Sequence, residues 1–226
     1  MSRKKTVVIV AGGKGERMHA AVPKQFLELA GEPILMHTLR KFHEFSPRLE
    51  LILVLPAEQI DFWEKLCRKH AFTLPHILVE GGNTRFFSVK NGLSKLNNSQ
   101  GLVAIHDGVR PLVGIETIKK AFEEAEISGA AIPVVDMIES VRKTDKKGSQ
   151  SVDRNKYKLV QTPQVFRSEV ILKSYEQGYS TQFTDDASVV EAAGYRVKLV
   201  EGNRENIKIT NAVDLELAEI LFRLQK

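Results

Sequence analysis

Short apolar runs alternate along this chain with stretches whose apolar residues recur every three or four positions. Thr6–Ala11 (TVVIVA) is β-branched and apolar on both faces, the pattern of a strand buried inside a parallel sheet. Leu51–Leu55, Ile77–Val79 and Leu102–Ile105 repeat that character. Ala130–Val135 predicts a further strand, with Pro133 at its end or at a bulge because proline cannot donate to a ladder. Helical stripes lie between these runs: Leu35, Leu39 and Phe42; Ile60, Trp63, Leu66 and Cys67; Val89, Leu93 and Leu96; Ile118, Ala121, Phe122 and Ala125. Alternation of this kind predicts an α/β fold, a mostly parallel central sheet flanked by helices.

The alternation stops after about Asp136. Residues 137–160 are polar, and Arg142–Lys158 holds seven Lys or Arg against two Asp. The turn-like Asp145–Ser149 (DKKGS) predicts a hairpin arm that leaves the core. A plain loop is the alternative, although loops of that length in compact domains usually serve function or are disordered. Helices are expected again over Ser168–Gln177 and Asp185–Ala193, a strand over Arg196–Val200, and a last helix over about Asn211–Gln225. Leu217, Leu221 and Leu224 are expected to form its apolar face. Without an internal repeat or linker, residues 1–226 read as a single domain, with 137–160 as an arm within it.

Composition narrows the function classes. Apolar residues at 42% and charged residues at 27% exclude a disordered or low-complexity chain. Cys67 is the only cysteine, so no intrachain disulfide and no Cys-based zinc cluster forms, and a cytoplasmic protein is expected. No apolar run of 18 residues predicts a membrane helix. The net charge of +5 suits an anionic ligand or simply a basic solvated surface. With 7% aromatics and no recognisable nucleic-acid motif, nucleic acid is not favoured. The six histidines show no metal-binding spacing.

The chemistry gathers where predicted strands end. Ala11–Met18 (AGGKGERM) follows the first strand, and Gly12, Gly13 and Gly15 let backbone N–H groups approach an anion beside Lys14 and Arg17. It is no Walker loop, and Met18 stands where a dinucleotide fingerprint needs a small residue. A purely structural glycine turn remains open. Lys24 follows Pro23, which restrains its backbone; taken alone it is an ordinary surface lysine. Gly81 and Gly82 precede a helix that Thr84 is placed to cap and that carries Arg85 and Ser88, a second anion or base site. Asp107, in HDGVRP, ends the fourth strand and suits Mg²⁺ when phosphates supply the other oxygens, with Arg110 placed to pair with it or with phosphate. A turn-forming Asp-Gly is the plainer reading. Asp185 and Asp186 suit a helix start, and Lys208 suits a plain strand. Jointly, glycine turns, cations and one carboxylate at the carboxyl edge of one sheet are equipment for a nucleoside triphosphate with Mg²⁺.

AGGKGERM, PKQF, GGNTRFFSV, HDGVRP, DRNKY, QTPQVF, TDDAS and NIKIT follow one another in the order seen in the sugar-phosphate cytidylyltransferases. The chain resembles that family from about Thr6 to the last helix, and most of all its branch acting on 2-C-methyl-D-erythritol 4-phosphate in non-mevalonate isoprenoid synthesis. The resemblance implies a Rossmann-like nucleotidyltransferase fold, a projecting arm, a homodimer formed through it, and Mg²⁺. It implies that CTP and the acceptor phosphate give a CDP-alcohol and pyrophosphate. It implies that Ala11, Gly12, Gly13, Lys14 and Gly15 wrap the triphosphate, with Arg17, Lys24 and Lys208 as catalytic cations. Gly81, Gly82, Asn83 and Ser88 would recognise cytosine, with Arg85 supporting the turn. Asp107 would hold the metal. Arg110, Asp136 and Thr210 would serve the acceptor, and Arg154 would reach the acceptor of the partner subunit.

The electrostatics agree with those roles. CTP and a phosphomonoester bring together about six negative charges near neutral pH, so several cations are required. A phosphate dianion attacks without a general base, and no catalytic His or Glu is expected. Two positions depart from the family pattern: Met137 stands where threonine is usual after the aspartate, and Glu139 where a base is usual. Asn83 replaces a common aspartate. Ribitol 5-phosphate therefore stays open as acceptor. A UTP or GTP nucleotidyltransferase and a non-catalytic nucleotide-binding regulator are the wider alternatives, the last opposed by the presence of both Lys24 and Lys208.

Overall fold

The computed structural model describes residues 3–12, 22–96, 100–146 and 148–224. In chain order, β1 (Lys4–Val10) is followed by a 3-10 turn (Lys24–Phe26), a small hairpin of β2 (Glu28–Leu29) and β3 (Glu32–Pro33), and α1 (Ile34–Phe45). Next come β4 (Glu50–Leu55), α2 (Ala57–Lys69), β5 (Ile77–Glu80), α3 (Arg85–Leu93), β6 (Gly101–Asp107), α4 (Ile115–Ser128) and β7 (Ala130–Asp136). A hairpin of β8 (Val141–Asp145) and β9 (Gly148–Val152) leads through a 3-10 turn (Arg154–Lys156) to β10 (Lys158–Val160) and β11 (Gln164–Arg167). The chain closes with α5 (Ser168–Ser174), α6 (Asp186–Ala192), β12 (Lys198–Glu201) and α7 (Ala212–Leu224).

The main sheet has eight strands in the order β10-β7-β11-β6-β1-β4-β5, with β12 paired to β7. Only β10 and β11 run against the others. The central strand β1 pairs in parallel with β4 and β6, so the strand ends Val10, Leu55 and Asp107 lie side by side.

Side chains of β1 alternate between two apolar layers, as the two-residue strand period requires. Val7 and Ile9 face α1, α2 and α4 through Leu39, Phe42, Trp63 and Phe122; Val8 faces α3, α5 and α6 through Val89, Ile171 and Val190. Burial on both faces is why these strands read as continuous apolar runs. No helix among the described residues is long and apolar enough to cross a membrane.

Three sequence expectations change. Pro133 lies inside β7 rather than at its end. Its carbonyl accepts from Gln161 N (2.9 Å) where the neighbour passes from β11 to β10, so its missing N–H faces a break in the ladder. The arm is the exposed β8–β9 hairpin, and residues 158–160 return to the main sheet as β10. In α7 the inward residues are Leu215, Ala218, Leu221 and Phe222, while Leu217 and Leu224 are exposed.

Candidate active site

Pro23 begins the 3-10 turn that carries Lys24, and Gln25 Nε2 donates to Ala11 O (2.8 Å), tying that turn to the exit of β1. Thr84 caps α3 by accepting from Phe87 N (3.4 Å). Ser88 Oγ accepts from Gly82 N (3.1 Å) and donates to Thr84 O (3.0 Å), so it shapes the glycine turn directly.

These elements surround a cleft of about 250 Å³ at the carboxyl edge, lined by strand ends, the Gly82–Thr84 turn and the polar side chains of Lys24, Arg85, Ser88, Asp107 and Lys208. Gly12, Ala11, Gly82 and Asn83 also border it, and Gly81 is anchored beside it through N–H donation to Leu55 O (2.8 Å). An adjoining lobe of about 180 Å³ shares Arg85, Asp107 and Lys208 and adds Arg110, Thr162 and Asp185.

Gly82 permits a close approach. A Cβ there would collide with Phe87 Cβ, so the turn has to move. If this turn holds cytosine as the resemblance implies, Gly82→Ala is expected to raise the KM for CTP about tenfold, the equivalent of about 1–2 kcal/mol of overpacking. Initial-rate kinetics at saturating acceptor check this, and an unchanged KM would remove the turn from base recognition.

Asp107 is the electrostatic centre. Arg110 Nε lies 3.1 Å from its Oδ2, Lys208 Nζ 3.1 Å from the same oxygen, and Arg85 Nε 3.8 Å from Oδ1. Burial opposes its ionisation, but the charges of Arg85, Lys208 and Arg110 outweigh burial and hold the carboxyl well below the usual range. Arg110 Nη1 also donates to Asn206 O (2.7 Å), joining the turn after β6 to the segment that carries Lys208.

Among the described residues no group of three or more His, Cys, Asp or Glu forms a metal cage. One ionised carboxylate among cations suits a magnesium ion that arrives with triphosphate oxygens of its own.

Arg85 has a second acidic partner. It makes two bonds to Asp186, Nη1 to Oδ1 (2.9 Å) and Nη2 to Oδ2 (2.6 Å), and Tyr175 OH donates to the same carboxylate (2.7 Å). Burial disfavours the Arg85 charge, yet Asp186 and Asp107 outweigh it and keep the guanidinium protonated. Asp186 is fully buried, whereas Asp185 is the N-cap of α6 and forms a capping box with Ser188. Asp186→Ala is expected to destabilise the fold by about 3 kcal/mol, the low end for a broken buried pair, because the Arg85 side chain keeps 30% of its exposure. Urea unfolding checks this through a lower midpoint at constant slope.

His106 is fully buried, and burial pushes its pKa down to about 4 against the opposing pull of Asp107. It lines neither lobe.

The remaining described candidates line neither lobe. Asp136 borders a separate cleft with Lys158 and Arg204. Arg154 donates to Ile138 O at the base of the arm. Thr210 donates through N and Oγ1 (both 2.7 Å) to Asp214 at the start of α7 and lines neither lobe. Gly13, Lys14, Gly15 and Arg17 lie outside the described residues. Conversely, Gln25, Thr162 and Asn206 belong to PKQF, QTPQVF and NIKIT, yet sequence reasoning gave them no role. Their place as polar residues inside chemistry-bearing motifs was the available signal, and only the structure shows that all three are buried.

Known proteins agree with this architecture. Residues 5–224 match the 2-C-methyl-D-erythritol 4-phosphate cytidylyltransferase family. A relative of that name from Bacteroides fragilis is 56% identical over 218 residues, 96% of this chain and 99% of the relative. The crystal structure of 2-C-methyl-D-erythritol 4-phosphate cytidylyltransferase from Thermus thermophilus superposes with a TM-score of 0.79 at 32% identity, covering 99% of this chain and 100% of that one. The crystal structure of 4-diphosphocytidyl-2C-methyl-D-erythritol synthase from Anaerococcus prevotii reaches a TM-score of 0.83 at 27% identity, covering 98% and 99%. The fold, the ordered motifs and these likenesses over nearly the whole length converge: this chain belongs to the 2-C-methyl-D-erythritol 4-phosphate cytidylyltransferase family.

Proposed function

We propose that the protein transfers the cytidylyl group of CTP to 2-C-methyl-D-erythritol 4-phosphate, giving 4-diphosphocytidyl-2-C-methyl-D-erythritol and pyrophosphate. The observation that carries this reading is the convergence of Arg85, Arg110 and Lys208 on Asp107, beside the Gly82–Ser88 turn. CTP would lie across the cleft, its base at that turn and its triphosphate toward Ala11, Gly12 and Lys24. The acceptor would enter the adjoining lobe, with Arg110 near its phosphate.

An oxygen of the acceptor phosphate forms a bond to the α-phosphorus as the bond to the bridging oxygen of pyrophosphate breaks in line. The attacking dianion carries no proton to remove, so the chain's contribution is alignment and positive charge directed at the pentacoordinate phosphorus. Lys24 and Lys208 would supply that charge. Mg²⁺ held by Asp107 would neutralise the triphosphate and polarise the reacting phosphate. A homodimer through the arm would bring Arg154 to the partner's acceptor, and the cytoplasm is the expected compartment.

The test is Mg²⁺-dependent pyrophosphate release from CTP, with methylerythritol 4-phosphate and ribitol 5-phosphate in parallel. Release with the first alone is expected and makes Met137 and Glu139 tolerated variations. Release with the second alone would keep the CTP site and replace the acceptor. No release with either, despite CTP binding, would overturn the proposal.

A further inference from the structure

We propose that His106 is a positioning residue, which sets the Asp107–Arg110 turn and couples it to Thr162 without touching substrate. The inference rests on the functional reading above, because it concerns the residues assigned there to metal and acceptor.

A histidine with no exposure inside an apolar strand is costly unless both ring nitrogens find partners. Both do. His106 Nε2 lies 3.1 Å from Arg110 O, and a carbonyl only accepts, so Nε2 carries the hydrogen. Nδ1 is therefore the acceptor, and Thr162 Oγ1 donates to it across 3.0 Å. The same Thr162 oxygen accepts from Asp107 N (3.1 Å). One ring thus holds the turn at both ends, directly at Arg110 and through Thr162 at Asp107.

The circuit extends further. Asn206 Nδ2 donates to Thr162 O (2.8 Å), and Arg110 Nη1 donates to Asn206 O (2.7 Å), so the segment leading to Lys208 is bound into the same frame. The ring packs edge-on against Phe42, with centroids 4.8 Å apart, which fixes its plane. With both nitrogens engaged and no place in the lining of either lobe, His106 has no group to offer a substrate. Its consequence is geometric, because Asp107 and Arg110 receive their backbone placement from it.

Four variants test this. His106→Leu removes both contacts, His106→Asn keeps an acceptor near Nδ1, and His106→Gln keeps a donor near Nε2. Thr162→Val breaks the same circuit from its other end with volume preserved. His106→Leu is expected to lower kcat about 10²-fold, as misplacement by about an ångström does. The KM for CTP should stay nearly unchanged, Asn or Gln should restore kcat in part, and amide exchange at Asp107 should accelerate. Thr162→Val should match the Leu variant, and the double variant should be no worse than either, since both break one circuit. Wild-type kcat in a folded His106→Leu protein would overturn the proposal, as would additive losses or equal damage to kcat and CTP affinity. If His106→Leu fails to fold, Thr162→Val against Thr162→Ser decides, read against the lobe that Thr162 also lines: a kcat loss with Val at unchanged acceptor KM, with faster Asp107 exchange and recovery with Ser, sustains the proposal, and loss with both, or a loss confined to acceptor KM, overturns it. If the wild type itself releases no pyrophosphate, the functional reading fails separately. Asp107 amide exchange then judges the turn, with faster exchange in the variants sustaining the frame and unchanged exchange overturning it.

Discussion

Lys208→Ala is expected to lower turnover by at least about 10²-fold while CTP affinity falls far less. Lys208 Nζ reaches Asp107 Oδ2 at 3.1 Å from a segment with no regular secondary structure, and its side chain keeps 43% of its exposure at the cleft edge. Before substrate binds, its charge is partly matched by Asp107. Charge built up on the pentacoordinate phosphorus draws the ammonium more strongly than the ground state does, and that difference is what accelerates a reaction. Loss should therefore fall on kcat. Lys24 lines the same cleft from the 3-10 turn, and Lys24→Ala is expected to behave alike. Single-turnover rates and calorimetric CTP binding, measured on both variants, separate the two effects. Normal turnover in either would remove that lysine from the mechanism.

Asp107→Asn should be still more damaging, with turnover lower by about 10³-fold, since it removes the carboxylate proposed to hold the metal. Metal-free CTP should bind no more weakly than to wild type, because the substitution deletes a negative charge next to three cations. That pairing of outcomes separates loss of a metal ligand from general damage to the site. Stability carries its own signature. The folded-state pKa of Asp107 is depressed because Arg85, Lys208 and Arg110 outweigh its burial. A depressed carboxylate stabilises the fold fully above its unfolded value of about 3.9, and that stability is lost as pH falls toward the folded value. Wild type should therefore exceed Asp107→Asn in urea midpoint at neutral pH, and the gap should narrow below about pH 4. A gap independent of pH would show that the contribution is packing rather than charge.

Much of this molecule was legible without coordinates. The apolar runs of β1, β4 and β6 are buried on both faces, so tertiary context had no polar alternation to impose, and burial could be read from composition alone. The stripes of α1 and α4 coincide with residues buried against the sheet. The glycine turns and Asp107 stood out because a triphosphate demands close backbone approach and a metal ligand at strand ends, whereas Lys24 and Lys208 read alone as ordinary lysines and were singled out only through the family resemblance. The acceptor side was harder. Of its family-matched residues, Asp136 and Arg154 lie at the base of the arm, where Arg154 donates to Ile138 O, and Thr210 is bound to Asp214 at the start of α7. The last helix, α7, misled for a simpler reason: it has apolar residues on more than one face, and periodicity cannot say which face meets the core.

Sequence by itself determined the layer architecture, the order of the loops at the sheet edge and the residue types available for phosphate chemistry, because strand burial and loop position follow from local pattern. Tertiary structure alone decided the pairings. Asp186 became the buried partner of Arg85 rather than a helix-dipole residue, and Thr162 and His106 became the frame of Asp107, across separations of 101 and 56 residues. Such contacts arise from the crossing of β11 beside β6 and from the packing of α6 over the sheet. No local period encodes them, since each side chain is polar in sequence and finds its partner only when the strands are laid side by side.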